Sequence, residues 1–421
     1  MPPTDRCRDT RSRAKGGLVM ANADPVQVLV VGGGIAALEA ALALRVLAED
    51  RVAVELLAPE TEFTYRPLAV AEPFRVGEVR RFPLETLADA AGASLRQGAI
   101  GSVDAERRVV ETSEGEELPY GALLLALGAR ALPSIPGALT FRGPEDGAVL
   151  SGLLKLARAG GVEKLVFALP VGVAWPLPLY ELALLTAVHL ADAGVSSVQL
   201  EVVTPEERPL QLFGSAASEA VSELLRGHGI SLRTDTAPMA VENGSLRLAP
   251  QGSLEADRVV ALPRLEGPSL RGIPHNASGF VPIDDHGRVA VEGDVYAAGD
   301  VTDFPVKQGG LATQQADAAA ESIAAGAGAP VEPRPFTPVL RGLLLTGLSP
   351  RYLRAEPGGR SSIAETEPLW WPPAKIVGRH LAPFLASHLG LSVKPPRPEG
   401  AVAVEVEVEL TRDELGAWSR L

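Results

Sequence analysis

Runs of apolar residues alternate with helical patterns along much of this chain. The first run, residues 26–31, precedes a helical pattern over 34–48 and a second apolar run over 52–57. Further strand patterns cover 99–111 and 118–127. Apolar strands joined by helices are typical of parallel sheets with both faces covered. The pattern therefore predicts an α/β fold.

A second α/β series follows a segment rich in proline and glycine at residues 128–138. It contains a strand in "GVEKLVFAL", a helix in "LYELALLTAVHLADAG" and another strand in "SVQLEVVT". The chain then returns to a strand in "GRVAVEGDVYAAGD", residues 287–300, and a helix in "LATQQADAAAESIAAGAG". The order predicts two α/β units, followed by a smaller third region.

The two ends of the chain have different patterns. Residues 1–24 are polar and basic and have no apolar stretch of the kind found in secretory signals, so we expect a disordered leader. Met20 is a second candidate for the start of translation. Valines alternate with glutamates over residues 402–409, which is typical of a half-exposed strand.

Composition narrows the classes of partner. The 421 residues carry a formal net charge of −13, and an acidic surface repels nucleic acid and anionic lipid. No apolar run reaches about 18 residues, so we expect no stable membrane insertion. Cys7 is the single cysteine, which excludes a disulfide or a cysteine metal cluster within the chain. We expect a cytoplasmic protein without a metal site.

The stretch "VLVVGGGIAALEAALAL" places three glycines between a strand and a helix. Gly32, Gly34 and Ala37 fit the pattern GxGxxG/A, in which the glycines permit a sharp turn and close approach of a pyrophosphate. Ile35 and Ala36 begin the helix, whose N-terminus attracts phosphate. The motif predicts a bound dinucleotide.

One expected part of this motif is missing. An acidic residue usually ends the second strand and binds the ribose hydroxyls. Ala58 occupies that place here, and Glu60 is the nearest substitute. A solvated loop carboxylate is the alternative interpretation of Glu60.

A second stretch, "VYAAGDVTDFPVKQGGLATQQADAAA", resembles the second flavin-binding motif of flavoproteins with two dinucleotide-binding domains. The resemblance implies that Gly299 and Asp300 hold the ribityl chain of FAD. It also implies that the helix after "KQGG" directs its N-terminus at the flavin, which adds the cofactor-binding candidates Gln308, Gly309, Gly310 and Leu311. The segment "LLLALGA" resembles the "ATG" turn of that family and adds Ala126 and Gly128.

Several segments between residues 26 and 385 are similar to sulfide:quinone oxidoreductases, the flavoprotein subunit of flavocytochrome c sulfide dehydrogenase, and type II NADH:quinone oxidoreductases. Pro176, Pro178, Tyr180 and Glu181 match a "CPP-P-YE" helix start, with Trp175 near the cysteine position. "EFTYRPLAVAEPF" resembles a loop near the isoalloxazine, and it adds two cofactor-binding candidates, Arg66 and Pro67.

The resemblance implies two Rossmann-like FAD/NAD(P)-binding-type domains, the first split in sequence, and a small C-terminal α+β cap. We expect the FAD-binding domain at residues 25–135 and 267–332. The NAD-binding-like domain would span residues 136–266 and the C-terminal domain residues 333–421. This organisation is also compatible with a homodimer.

The departures from these relatives limit the chemistry. With Cys7 alone, electrons cannot pass through a cysteine pair. In the second unit Gly172 is the only glycine of the turn, and prolines stand at 170, 176 and 178, so its NAD motif is degenerate. We therefore expect an FAD-dependent oxidoreductase that passes electrons from an unidentified donor to a quinone or another small acceptor. An NADH:quinone oxidoreductase is one alternative, and a flavin-binding sensor with little turnover is another.

Three residues are catalytic candidates. Lys307 precedes the flavin-facing helix, where a cation would stabilise reduced flavin. Gln314 lies on that helix and, like Gln308, could hydrogen-bond a quinone or the flavin ring. Lys375 belongs to "WWPPAK", a segment that the resemblance places over the flavin. A solvated lysine and ordinary polar helix residues are the alternative for the first two, and Trp370 and Trp371 could instead be core or dimer contacts.

Overall fold

The computed structural model describes residues 24–250, 252–355 and 362–388. The leader expected over residues 1–24 lies outside these ranges except for Asp24. The alternating valine and glutamate segment at 402–409 also lies outside them.

The described residues form strands and helices in alternation, and the helices are α1 (Ile35–Leu47), α2 (Leu84–Ala90), α3 (Gly147–Arg158), α4 (Leu177–Asp192), α5 (Ser215–Gly227), α6 (Gly309–Gly326) and α7 (Leu381–His388). The strands are β1 (Val26–Val31), β2 (Val52–Ala58), β3 (Glu62–Tyr65), β4 (Arg80–Pro83), β5 (Ser94–Gln97), β6 (Ile100–Asp104), β7 (Val109–Thr112), β8 (Glu117–Pro119), β9 (Ala122–Leu125), β10 (Arg130–Leu132), β11 (Leu139–Thr140), β12 (Lys164–Ala168), β13 (Gln199–Val203), β14 (Ser231–Arg233), β15 (Ala237–Glu242), β16 (Ser245–Ala249), β17 (Ser253–Glu255), β18 (Arg258–Ala261), β19 (Arg264–Glu266), β20 (Val295–Ala297), β21 (Arg341–Leu344), β22 (Arg351–Ala355) and β23 (Ser362–Glu365).

The first sheet is parallel and has the order β20-β9-β1-β2-β5. Its last strand in sequence, β20, joins β9 at one edge, so the chain returns to this sheet after building the second one. The last four residues of β1, from Val28 to Val31, are buried, as expected when helices and loops cover both faces. The expected α/β fold with a split first unit is confirmed.

The second sheet is also parallel, in the order β11-β18-β12-β13-β14. Helix α4 connects β12 to β13 and is buried along most of its length, including Leu179, Leu182 and Leu185. Both sheets are therefore of the Rossmann-like type that the sequence predicts.

Antiparallel strands supply the smaller sheets. Strands β6–β8 and β15–β17 form meanders attached to the first and second parallel sheets, and β21–β23 form a third small sheet in the C-terminal region. The strand expected over residues 287–300 is shorter, because Gly287 and Gly293 adopt positive φ and only Val295–Ala297 joins a sheet. The pattern at 118–127 divides between β8 and β9.

Helices α1 and α6 pack closely on the first sheet. Alanines such as Ala37, Ala40, Ala316, Ala319 and Ala320 are fully buried in this core, which lets the two helix backbones approach each other. The packing places the N-termini of both helices at the same edge of the sheet. No helix of the described residues is long and apolar enough to cross a membrane.

Candidate functional site

A cleft of about 830 Å³ lies at the carboxyl ends of both parallel sheets. In the first sheet the segments that follow β1, β9 and β20 line it, and in the second sheet those that follow β12 and β18 line it. Parallel α/β sheets bind ligands at this edge, where neighbouring strands lead to opposite sides of the sheet. The cleft is therefore the candidate site.

The turn after β1 has the geometry that its glycines predict. Gly32 has φ +131°, and an added Cβ would lie 2.3 Å from the carbonyl oxygen of Ala126, so a side chain is excluded there. Gly34 has extended backbone, and a Cβ at this position would meet nothing within 4 Å. A large group in the cleft can thus come close to the backbone at Gly34.

Helix α1 presents an uncapped N-terminus to the cleft. Gly34 is its N-cap and provides no side-chain hydrogen bond, and the first turn carries no acidic residue. Ile35 and Ala36 line the cleft, whereas Ala37 is fully buried against the sheet. Backbone N–H groups at such a helix start favour an anion, so the local chemistry suits a phosphate.

The turn after β20 faces the same cleft. Gly299 has φ +82°, and Asp300 follows it and lines the cleft. Burial raises the pKa of Asp300, although the nearby Lys307 partly offsets this. The backbone N–H of Gly299 donates to Oε1 of Gln315 at 2.8 Å, which fixes the turn. Gln315 was not among the predicted residues, and its position in the second turn of α6 gives no sequence signal of this contact.

The start of α6 is held by Gln308. Its Oε1 accepts from the backbone N–H of Leu311 at 2.9 Å, and its Nε2 donates to the carbonyl of Arg341 at 3.1 Å. Gln308 and Gly309 line the cleft, while Gly310 and Leu311 are buried in the first turn behind it. The side chain of Gln308 therefore caps the helix, and the helix N-terminus points to the cleft.

Lys307 is a buried lysine at the cleft, 7% exposed. Its Nζ donates to the carbonyl of Thr302 and lies 4.0 Å from the centre of the Phe280 ring. Burial lowers its pKa to about 8, against the opposing effect of Asp300 and Asp303. At neutral pH it remains mainly protonated and supplies a positive charge beside Asp300.

Lys375 reaches the cleft from the C-terminal region and forms an ion pair with Glu181 of α4. Its Nζ lies 2.6 Å from both carboxylate oxygens, and both side chains are buried. Glu181 also accepts from the backbone N–H of Leu345 at 2.8 Å. Burial raises the pKa of Glu181, and Lys375 and the Leu345 N–H lower it in part. The second unit thus contributes an acidic side chain to the site.

Other predicted residues lie along the cleft walls. Arg66 reaches across to Glu145, with Nη2 2.5 Å from Oε1, and Pro67 lines the cleft next to it. Glu60 is exposed at the end where the segment Gly98–Ile100 forms the wall. The walls also contain Ala126 and Gly128 of the turn after β9.

Gln314 is the one of the three catalytic candidates that the structure places away from the cleft. Its Nε2 donates to the carbonyls of Gly310 and Val339, at 2.7 and 3.0 Å, and its Oε1 accepts from the N–H of Val339 at 2.8 Å. The amide is therefore used to hold the segment before β21.

Trp370 donates to the carbonyl of Ala374 at 2.9 Å and supports the segment that carries Lys375.

The turn after β12 differs from the turn after β1. Val173, Ala174 and Trp175 project from it into the cleft, and the Trp175 ring packs edge-on against Phe213 at 5.7 Å. Apolar side chains occupy the place where a nucleotide-binding turn has glycines. Gly172 has φ +75° and does not line the cleft.

An acidic residue near the end of β13 is buried. Glu206 accepts from Tyr180 Oη at 2.5 Å and from Thr204 Oγ1 at 3.0 Å. Burial raises the pKa of Glu206 to about 7, against the opposing effect of these hydrogen bonds. In nucleotide-binding units an acid near this strand end binds the ribose, but here the unit's own tyrosine occupies it. Within the described ranges, no group of three His, Cys, Asp or Glu side chains could hold a metal ion.

Comparisons with known proteins agree with this architecture. The family model described as pyridine nucleotide-disulphide oxidoreductase matches residues 26–159 and 182–322. An NADH dehydrogenase-like protein of Mycobacterium tuberculosis is 29% identical over 296 residues, covering 65% of this chain and 72% of that protein. The ferredoxin–NAD(+) reductase component of an anthranilate 1,2-dioxygenase system from Burkholderia cepacia is 28% identical over 297 residues, covering 67% and 68%.

Solved structures share the fold. The sulfide:quinone oxidoreductase of Aquifex aeolicus has a TM-score of 0.73 and 18% identity, covering 81% of this chain and 86% of that one. NDH2 of Plasmodium falciparum in complex with NADH has a TM-score of 0.54 and 16% identity, covering 66% and 64%. At these identities the likeness is one of fold.

Proposed function

Because the chain belongs to the pyridine nucleotide-disulphide oxidoreductase family, we propose that it is an FAD-dependent oxidoreductase that passes electrons to a quinone or another small acceptor. FAD, when bound, would supply the reversible uptake of two electrons. The chain contains one cysteine, Cys7, so the proposed reaction proceeds without a disulfide within the chain.

One observation carries the proposal. The turn at Gly32–Gly34 and the turn at Gly299–Asp300 are about 260 residues apart in sequence, and both line one continuous cleft. Each turn lies beside the N-terminus of a long helix, α1 or α6. Two positive helix ends in one cleft match a ligand with a pyrophosphate and a second electron-rich group.

The residues present fit such a ligand. The open space at Gly34 and the uncapped start of α1 would hold the pyrophosphate. Asp300 would accept hydrogen bonds from ligand hydroxyl groups, because its carboxylate faces the cleft. Glu60 would accept hydrogen bonds from the ribose hydroxyl groups near residues 98–100. Arg66 and Pro67 would line the cleft beside the rest of the ligand.

Two lysines would act at the other end of the cleft. Lys307 would stabilise negative charge that develops on reduction, since it is a buried cation beside the start of α6. Lys375 and Glu181 would hold a proton next to the acceptor, because the buried pair can exchange a proton with a group in the cleft. Trp175 and Leu343 line the cleft and would provide an apolar surface for a flat acceptor.

An NADH:quinone oxidoreductase is the second candidate, favoured by the 29% identity to an NADH dehydrogenase-like protein. The geometry of the second unit supports it less well. The turn after β12 carries Val173 and Trp175 in place of glycines. The hydroxyl group of Tyr180 donates a hydrogen bond to the carboxylate of Glu206, the acid that would otherwise bind the ribose. We therefore propose a donor other than a nicotinamide nucleotide, and a cytoplasmic location, which suits a chain with a single cysteine.

Anaerobic mixing tests the proposal. The purified protein is expected to show the absorption of bound flavin, to remain oxidised with NADH or NADPH, and to be reoxidised by a soluble quinone after photoreduction. Rapid bleaching by NADH would establish the second candidate instead. Flavin that can be photoreduced but transfers electrons to no quinone or other small acceptor would indicate a sensor, and a protein that takes up no FAD would refute the proposal.

A further inference from the structure

An aromatic side chain outside the cleft lies against the buried lysine that precedes α6. Phe280 does not line the cleft, but its ring centre lies 4.0 Å from Nζ of Lys307. An ammonium group within about 6 Å of an aromatic ring centre is attracted by the negative face of the ring. The attraction is stronger where water is excluded, and Lys307 is buried. Phe280 therefore acts on the charge of this lysine.

The loop between β19 and β20 fixes the backbone of Phe280. Oδ1 of Asn276 accepts from the N–H of Phe280 at 3.1 Å, and the carbonyl of Phe280 accepts from the N–H of Asn276 at 2.8 Å. Gly279, with φ +80°, makes the turn between them, and a Cβ there would lie 2.4 Å from Oγ of Ser269. The ring thus projects from a backbone that is held at both of its hydrogen-bonding groups.

The next residue, Val281, pairs with the segment that supplies the hydrogen-bond acceptor of Lys307. The N–H of Val281 donates to the carbonyl of Val301 at 2.9 Å, and the N–H of Asp303 donates to the carbonyl of Val281 at 2.8 Å. Thr302 lies between these two bonds, and its carbonyl accepts from Nζ of Lys307. The aromatic ring and the carbonyl therefore belong to one hydrogen-bonded bridge and contact the same ammonium group.

The groups around Lys307 oppose the loss of its charge. Burial lowers the pKa of Lys307 to about 8, and the negative charges of Asp300 and Asp303 act in the opposite direction. The Phe280 ring and the Thr302 carbonyl interact more strongly with an ammonium group than with a neutral amine. Without the ring, burial would lower the pKa of the lysine further.

We propose that Phe280 is a positioning residue of the site: its ring, together with the Thr302 carbonyl, keeps the Lys307 ammonium group charged and in place at the cleft. The inference rests on the proposed function, in which Lys307 stabilises the negative charge that develops on reduction. Phe280 acts through the lysine and does not itself line the cleft. Removal of the ring should change the protonation of Lys307 and, as a consequence, the energetics of reduction.

Carbon NMR tests the contact without any reaction. The chain contains six lysines, so protein labelled at the lysine ε-carbons gives at most six signals, and Lys307→Arg identifies the one from Lys307. We expect this signal to titrate near pH 8 in the wild type. In Phe280→Leu, which keeps an apolar side chain without a ring, the proton affinity of Lys307 should fall about tenfold, or about one pKa unit. An unchanged titration in Phe280→Leu would overturn the inference.

Two further variants separate the aromatic face from general effects. Phe280→Tyr keeps the ring and should retain the wild-type titration of Lys307. Phe384→Leu removes another half-buried ring, which stacks on His388 in α7, and should also leave the titration unchanged. If Phe384→Leu shifts the titration as much as Phe280→Leu does, the effect does not come from the contact and the inference fails.

A second measurement decides if Phe280→Leu fails to fold. With isotope-labelled phenylalanine, the wild type should show a nuclear Overhauser effect between the phenylalanine ring protons and the ε-methylene group of Lys307. The effect should disappear in Phe280→Tyr, whose ring carries no label. Its absence in the wild type would refute the contact.

A spectroelectrochemical titration of the FAD-loaded protein measures the consequence for reduction. At pH 9 most of the lysine is neutral before reduction, so it takes up a proton from solvent as negative charge develops beside it. In Phe280→Leu this uptake is less favourable. We expect the equilibrium constant for two-electron reduction to be about fivefold lower than in the wild type at pH 9, or about 20 mV, and less than about twofold lower at pH 7.

The two measurements separate this inference from the proposed function. Identical pH profiles of the reduction potential in Phe280→Leu and the wild type would overturn the role of Phe280 while the protein remains a flavoprotein. A protein that binds no FAD would refute the proposed function, and the NMR titration of Lys307 would then still decide whether the ring holds the charge.

Discussion

The two parallel sheets of this protein carry the same strand–turn–helix arrangement with different turns. In the first, β1 leads through Gly32 and Gly34 to an uncapped helix start with open space beside it. In the second, β12 leads through a turn whose Val173 and Trp175 project into the cleft. The first turn leaves open space beside its backbone, whereas the second turn presents apolar side chains to the cleft.

This difference shows that two sheets of the same Rossmann-like type can carry turns with different side chains at the cleft. The second sheet still needs its buried strands and α4 to form a core. Its contribution to the cleft is now made by side chains, chiefly Trp175 and Glu181, which pairs with Lys375.

Filling the first turn should have the largest effect. Gly34→Leu is compatible with the backbone, which is extended there, and its Cβ meets no atom within 4 Å, but the side chain would occupy the phosphate space. We expect FAD binding to weaken at least about 100-fold, or about 2.8 kcal/mol, in a fluorescence titration.

Gly152→Leu provides the matched control, because this helical glycine of α3 is exposed and also has open space around its Cβ. It should bind FAD like the wild type. Equal affinity of Gly34→Leu and the wild type would mean that no ligand approaches the first turn.

The second unit should bind nicotinamide nucleotides poorly. We expect the dissociation constant for NADH to exceed about 1 mM in calorimetric titration of the FAD-loaded protein. The turn has a single glycine, Gly172, which does not line the cleft, and Tyr180 donates a hydrogen bond to the carboxylate of Glu206. A micromolar dissociation constant for NADH would show that the second turn, like the first, can accommodate a dinucleotide.

Loss of the ion pair between the units should slow the reaction and leave cofactor binding intact. In Lys375→Met, we expect reoxidation by a quinone to slow about 100-fold, the range of a lost proton donor, with unchanged FAD affinity. Because the variant leaves Glu181 buried without its partner, the double variant with Glu181→Gln should recover stability without recovering the rate.

Lys155→Met, on the exposed face of α3, is the control for removing a positive charge and should retain the wild-type rate. If Lys375→Met reoxidises as fast as this control, the ion pair has no part in electron transfer to the acceptor.

The smallest effect concerns the buried acid of the second unit. The pKa of Glu206 is raised from 4.5 to about 7, so between these values the folded state binds more protons than the unfolded state and stability falls as pH rises. Glu206→Gln should remove this dependence. Relative to the variant, the melting temperature of the wild type should drop by roughly 2–4 °C between pH 5 and 8. Parallel pH profiles of the two proteins would show that Glu206 does not titrate in this window.

Much of the fold can be predicted from the sequence because its signals are local. The glycine turn at Gly32–Gly34, the apolar strand before it and the degenerate turn at Gly172 all lie within short stretches. The extent of single strands is less predictable, as residues 287–300 show, because pairing depends on neighbours that are distant in sequence.

The parts of the site that depend on the backbone are easier to predict than the contacts between side chains. The turn at Gly299–Asp300 has a recognisable pattern, but its support by Gln315 depends on where α6 packs. Gln314, one residue earlier, was the sequence candidate, and the helix turns it to the backbone of Val339. The bond between Tyr180 and Glu206 joins residues that no motif connects.

The central claim, that two distant turns hold one FAD, is tested most directly by an equilibrium titration of FAD into three proteins: the wild type, Gly34→Leu and Asp300→Ala. The account predicts one FAD per chain for the wild type and at least about 100-fold weaker binding for each variant. Wild-type affinity in either variant would contradict it, because the cofactor would then depend on one turn alone.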